Sequence, residues 1–163
     1  MAEAQRVAQS APVRVPGAHF LVIEARFYES IGAMLLEGAA RALNLAGATF
    51  ERLTVPGALE IPIAAAIALD GAAGSGRRID GIVALGCVIR GETFHFEIVA
   101  GESARALMDL AVKRAIPLGN SILTMNTMDQ AEARADPARG DKGGEAARAA
   151  VALAALKRAG TGA

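Results

Sequence analysis

Short apolar runs along the chain alternate with longer stretches in which apolar residues recur every three or four positions. His19–Ala25 (HFLVIEA) is apolar and rich in β-branched side chains, and reads as a first strand. Over 30–46, Ile31, Met34, Leu35, Ala39, Ala42, Leu43 and Ala46 fall at helical spacing, and Gly47 follows as a natural stop. Thr49–Val55 (TFERLTV) alternates and ends at Pro56-Gly57, giving a second strand. Residues 59–70 predict an Ala-rich helix with Pro62 in its first turn, and the Gly/Ala/Ser-rich stretch 71–78 predicts a surface loop. Residues 82–89 (IVALGCVI) are almost wholly apolar, the mark of a central parallel strand covered on both faces. A helix follows over 94–115, a fourth strand over 116–124, and a short helix from near Asp129. Residues 136–144 (DPARGDKGG) read as a loop, and 145–158 as a last helix with Lys157 and Arg158 near its negative end.

Strands separated by helices imply right-handed crossovers. The expected fold is therefore α/β, a three-layer sandwich in which a four-stranded parallel sheet carries helices on both faces. Residues 1–18 are expected to form a flexible arm and 19–160 a single domain, with no internal repeat. In such folds ligands bind beyond the C-terminal strand ends. That makes the strand-to-helix junctions the places to search.

Composition narrows the function. The chain has 163 residues, with 17 Lys plus Arg against 17 Asp plus Glu, so the net charge is zero. A nucleic-acid binder needs a basic face, and this balance argues against one. One Cys excludes a disulfide framework and a multi-Cys metal site, so no metal is expected. The longest apolar run, 61–69, holds a Pro and is far short of the ~20 residues of a membrane span. The first eighteen residues carry Glu3, Arg6 and Arg14 without an apolar core of a leader, so a cytoplasmic protein is expected. Alanine supplies roughly a quarter of the chain while aromatics make up 4%. So much small apolar surface suggests contact with other subunits.

The third junction, GCVIRGETFHFE (86–97), is the richest in chemistry. Backbone N–H groups at a helix start favour an anion, Gly91 permits close approach, and Thr93 offers a hydroxyl. The same residues also fit an ordinary helix start capped by Thr93. His95 can move protons near neutral pH, or can be a surface histidine in a first turn. His19 lies at the opposite strand end and is given no role. In VPGALE (55–60), Glu60 suits a helix start electrostatically, and the Ala58 and Leu59 amides can face a ligand. Phe27 is either core or a ring exposed for stacking on a flat heterocycle. Arg134 and Lys142 read on their own as solvated charges, and Cys87 as a small core residue.

Taken in order, ARF (25–27), LLEGA (35–39), VPGALEIP (55–62), ALGCVIRGETFHFE (84–97), ILT (122–124), EARA (132–135) and KGGEAA (142–147) resemble the 6,7-dimethyl-8-ribityllumazine synthase family over about residues 19–158. VPGALEIP and the GCVIRGETFHFE segment are highly specific to it. The resemblance implies a flavodoxin-like fold and a reaction in riboflavin biosynthesis. The amine of 5-amino-6-ribitylaminopyrimidine-2,4-dione condenses with the ketone of 3,4-dihydroxy-2-butanone 4-phosphate, and phosphate and water leave. It implies no metal and no organic cofactor. It also implies roles. Phe27 would stack on the pyrimidine, while Ala58, Leu59 and Glu60 hold the ribityl chain. Cys87, Val88 and Ile89 would line the ring pocket. Gly91, Glu92 and Thr93 would cradle the phosphate with Arg134 as its cation, His95 would shuttle protons, and Lys142 would add positive charge. Sites would lie between the subunits of a homopentamer.

The chain departs from the family pattern in three places. Tyr28 stands where many members have Asn. Asn120 stands where many have an aromatic that packs on the ligand from the neighbouring subunit. ADPARGDKGG replaces the turn common in shell-forming members, at the same length; length leaves room for a larger assembly, and the changed chemistry favours a free pentamer. Tyr28 and Asn120 also motivate a rival reading, a flavin- or lumazine-binding paralogue with weak synthase activity.

Overall fold

The computed structural model describes residues 11–161. Its elements run β1 (His19–Ala25), α1 (Glu29–Leu45), β2 (Thr49–Val55), α2 (Glu60–Ser75), β3 (Gly81–Ile89), α3 (His95–Arg114), β4 (Leu118–Met125), α4 (Met128–Ala135) and α5 (Lys142–Thr161). The strands form one sheet in the order β2-β1-β3-β4, and every pairing is parallel.

Strand alternation sorts the core into two layers. Phe20 and Val22 of β1, Val83, Leu85 and Cys87 of β3, and Leu123 of β4 pack with α1, α4 and α5. Leu21, Ile23, Ala25, Ile82 and Ala84 face the other way, against α2 and α3. Residues 81–87 of β3 are all buried, as its unbroken apolar run requires. The result is the expected α/β three-layer sandwich. The chain leaves β1 towards β2 on one side and β3 towards β4 on the other, so the C-terminal ends of β1 and β3 flank a switch in winding direction. Such a switch opens a crevice for ligands.

Helix α5 lies unusually close to α1 and β4. A Cβ at Gly143 would overlap the Leu35 carbonyl, and one at Gly119 would overlap the Ala146 carbonyl. Ala39, Ala42 and Ala46 of the α1 side and Ala147, Ala150 and Ala154 of α5 are all buried in this layer. The loop expected over 136–144 therefore ends sooner: α5 starts at Lys142 and includes Gly143 and Gly144. Two glycines in a helix look like a loop in sequence, yet here Gly143 lets the helix approach α1 and Gly144 leaves room for the Asp141 carboxylate. Asp141 precedes them with φ 48°, a left-handed residue at the helix start.

The surface loop expected over 71–78 is also corrected. Helix α2 continues to Ser75, and Gly76, with φ 71°, ends it in the left-handed region. Ala72 is buried and carries the apolar face through the Gly-rich stretch. The fourth strand begins at Leu118, after Pro117. Residues 1–10 of the expected N-terminal arm lie outside the described residues. The looseness expected of the arm does not extend to residues 15–18: Val15 is buried, its N–H donates to the Ala46 carbonyl at 2.8 Å, and Arg158 donates to the Pro16 carbonyl at 3.0 Å. Among the described residues, no helix is long and apolar enough to cross a membrane.

Two glycine substitutions should move stability in opposite directions. Gly143→Ala forces α5 off α1 and should lower the unfolding free energy by about 1–3 kcal/mol. Gly71→Ala, at an α2 position with open space around the new methyl group, should raise it by roughly 0.5–1 kcal/mol. Urea denaturation of both variants measures the contrast.

Candidate active site

The turn after β1 is held by charge. Glu24 is 1% exposed, and its Oε2 lies 3.0 Å from Arg26 Nε, an ion contact rather than a well-directed hydrogen bond. Its Oε1 accepts from the Thr54 hydroxyl at 3.0 Å on β2. Arg26 also pairs with Glu29 in the first turn of α1, and Glu24 first, then Glu29, holds the guanidinium above its usual pKa. The clamp fixes the turn that carries Phe27. The Phe27 ring is 76% exposed, so the solvent-facing alternative holds over core packing. Tyr28 is half-buried and meets the Phe27 ring edge-on, 5.1 Å between centroids at 71°. The departure at position 28 thus braces Phe27 from the core side.

After β2, Pro56-Gly57 turns the chain into α2. Ala58 is buried, Leu59 half-buried and Glu60 exposed. The Glu60 carboxylate folds back over Gly57, close enough that a Cβ there would lie 2.8 Å from its Oε2. No side chain caps α2; its first two amides donate instead to the Gly57 and Ala58 carbonyls at 3.2 and 3.3 Å, and Pro62 follows without an N–H.

After β3, Cys87 puts its thiol into the α1-side core, and burial pushes it up to about 11. Only the Cys87 backbone is left to face a ligand; Val88 and Ile89 are half-buried. Gly91, Glu92, Thr93 and His95 are exposed. Thr93 is not the cap of α3: Phe94 holds that position, in a right-handed conformation and without a side-chain bond. The Thr93 hydroxyl lies 3.5 Å from the His95 N–H, at the limit of a hydrogen bond. The His95 amide thus already has the Thr93 hydroxyl as a weak partner, and Phe94 offers no side-chain cap to the amides that follow. Arg90, just ahead of the loop, pairs with Glu97 and pulls that carboxylate below its usual pKa.

Asn120, Arg134 and Lys142 occupy a different place. They line a groove of about 480 Å³ beside the edge strand β4, together with Ser121, Thr124 and Glu145. Asn120 Oδ1 accepts from the Ile122 N–H at 2.9 Å, which shields the free strand edge. Arg134 donates weakly to the Gln130 carbonyl at 3.3 Å and has no carboxylate partner among the described residues. Lys142, by contrast, pairs with Glu145. Asp141 is buried and accepts from Arg148 at 3.0 Å, fixing the start of α5. Sequence reasoning missed Ser121, whose buried hydroxyl has no partner, and Asp141, since neither burial nor a left-handed φ shows in a run of polar and glycine residues.

The groove lining contains none of Phe27, Glu60 or His95. The described residues thus present two separate places. The first is a crown at the strand ends with an aromatic ring, helix-start amides and a histidine. The second is a groove with an unpaired arginine. Among the described residues no three His, Cys, Asp or Glu side chains group as metal ligands.

Residues 17–158 match the sequence pattern of the family described as 6,7-dimethyl-8-ribityllumazine synthase. The chain belongs to that family. Its relatives include the 6,7-dimethyl-8-ribityllumazine synthase of Methylocella silvestris, 68% identical over 142 residues that make up 87% of each chain. The protein named 6,7-dimethyl-8-ribityllumazine synthase 1 in Rhodopseudomonas palustris is 58% identical over 158 residues, 97% of each chain. That of the same name in Rhizobium meliloti is 58% identical over 145 residues, 89% of this chain and 95% of its own. As a lumazine synthase the chain is a transferase of riboflavin biosynthesis.

The Cys87 thiol should resist maleimide at pH 7.5 in the folded protein and react on unfolding. Its pKa rises from 9.0 to about 11 on folding, so the folded state keeps a proton that the unfolded chain gives up. Stability from this group is complete below pH 9 and is lost as pH rises towards about 11. Cys87→Ala should remove that part of the alkaline loss, as read from denaturation curves at pH 8 and pH 10.5.

Proposed function

We propose that the crown of one chain and the groove of its neighbour close around the two lumazine synthase substrates. Phe27 stacks on the pyrimidinedione, and Ala58, Leu59 and Glu60 hold the ribityl chain. The backbone of Cys87, Val88 and Ile89 reads the heterocycle edge. Gly91, Glu92 and Thr93 receive the phosphate of 3,4-dihydroxy-2-butanone 4-phosphate, and the neighbour's groove brings Arg134, with Lys142 and Asn120 along its wall. The amine attacks the ketone and an imine forms with loss of water. Phosphate then leaves, and ring closure with further water loss gives the lumazine. His95 moves protons in these steps. Arg134 and the α3 amides stabilise the departing phosphate. Holding two reactants in register supplies much of the remaining acceleration. The steps need no metal and no organic cofactor.

One observation carries the reading. The cation nearest the cradle, Arg90, is already neutralised by Glu97, while Arg134, which has no carboxylate partner among the described residues, faces a separate groove. A dianion needs a free charge, and a second copy can bring one. Exposed apolar side chains support such contact: Ile63 and Ile67 on α2, Val112 on α3, and Leu156 on α5. We assign the assembly as a homopentamer of about 83 kDa from chains of 16.6 kDa, which light scattering measures against larger shells. The single reduced thiol fits a cytoplasmic protein.

His95→Ala and Arg134→Ala should each cut lumazine formation, read as growth of product absorbance, by roughly 10²-fold or more. Mixing the two inactive variants through unfolding and reassembly should restore about a quarter of full activity, because a quarter of random neighbour pairs then hold both wild-type residues. Zero recovery from well-formed mixed assemblies would place both residues in one chain's site.

A further inference from the structure

We propose that Arg90 is a positioning residue: it shapes the loop 91–95 to receive phosphate and does not itself touch the phosphate. This rests on the reading that Gly91, Glu92 and Thr93 bind that group. Arg90 is the first residue beyond β3, and its N–H still donates to the Met125 carbonyl at 2.9 Å, so its backbone is anchored to the sheet. Its guanidinium is engaged on three sides. One nitrogen pairs with Glu97 in the first turn of α3, Nε donates to Asn126 Oδ1 at 3.1 Å beyond the end of β4, and the plane lies 4.2 Å from the centre of the Phe96 ring.

These contacts span the loop from both ends. The loop begins at Arg90 and returns into the helix at 95–97, where Phe96 and Glu97 hold the same guanidinium. The segment between has little else to fix it. Gly91 stands in open space, and Gly91, Glu92, Thr93 and His95 are all exposed. A glycine-bearing loop without packing has many conformations, and a cradle of amides works only in one of them. The brace selects that one and sets the adjacent His95 at the same time. The charge of Arg90 is cancelled by a carboxylate held below its usual pKa, so the pair stays ionised at working pH. A guanidinium committed in this way is a poor phosphate ligand and a good strut.

Steady-state kinetics of the assembled enzyme tests this, with each substrate varied separately and inorganic phosphate as a competitive probe. Arg90→Ala and Glu97→Gln should each raise the KM of the butanone phosphate and the inhibition constant of phosphate about tenfold, and leave the pyrimidinedione KM within about twofold. The exchange Arg90→Glu with Glu97→Arg should recover most of the loss. If Arg90 bound phosphate directly, Glu97→Gln would free it and tighten phosphate; that result overturns the proposal. So does an equal loss on both substrates together with a lower melting temperature, which marks a purely structural role. Thr93→Val and Arg134→Ala run alongside. If they weaken phosphate while Arg90→Ala does not, the strut is wrong and the cradle stands. If none of the variants affects phosphate, the cradle reading fails and takes the strut with it.

Discussion

The parallel pairing of β1 with β3 is the contact on which the rest of the molecule depends. Parallel neighbours cannot be joined by a hairpin, so each strand must return through a helix. Every helix that follows a strand then begins at the same end of the sheet. Because the chain leaves β1 and β3 in opposite directions, α1 and α3 start on opposite faces and leave a crevice between them. Helices α1, α2 and α3 all begin without a side-chain cap, whereas α4 is capped by Thr127. Helix starts therefore gather where the winding direction changes. The aromatic ring of Phe27, the turn 55–60 and the loop 91–95 all lie at that end of the sheet because parallel topology puts every strand-to-helix junction there.

Charge at this end is sorted by pairing rather than by amount. The chain is neutral overall, and most of its arginines near the sheet ends are bound to carboxylates: Arg26 to Glu24 and Glu29, Arg90 to Glu97, Arg148 to Asp141. Such pairs contribute modestly to stability but fix geometry. Arg134 differs from these: it has no carboxylate partner among the described residues and is set in the groove beside β4. A neutral protein can hold an anion when its free charge is local.

Much of this was legible in the sequence. Strands β1 and β3 stand out because buried parallel strands must be continuously apolar, β2 by its alternation, and β1 and β2 match the expected ranges to the residue. Phe27, Ala58, Glu60 and His95 fall at the strand ends because their motifs sit at the junctions. What was not legible was distance. Gly71 and Gly74 read as a loop but continue α2, since one buried alanine, Ala72, keeps that helix on the core. Gly143 and Gly144 read as a loop but open α5, since their meaning depends on how near Leu35 lies to the first and the Asp141 carboxylate to the second. The motif containing Arg90 was visible, yet nothing in its spelling shows that Glu97, Asn126 and Phe96 all converge on one guanidinium. Nor could spacing reveal that the crown and the groove are separate places on one chain.

The alanine layer between α1 and α5 has a thermodynamic side. A long side chain loses up to about 1.5–2 kcal/mol of rotamer freedom on burial, and alanine loses almost none. Ala39, Ala42, Ala46, Ala147, Ala150 and Ala154 therefore freeze nothing when the two helices close, and Gly143 removes the last obstacle to their approach. The attraction comes from backbones brought near to one another, through many small dispersion contacts. A contact built this way has little side-chain disorder to recover on heating, so warming should loosen it less than an equally large contact made of leucine and methionine.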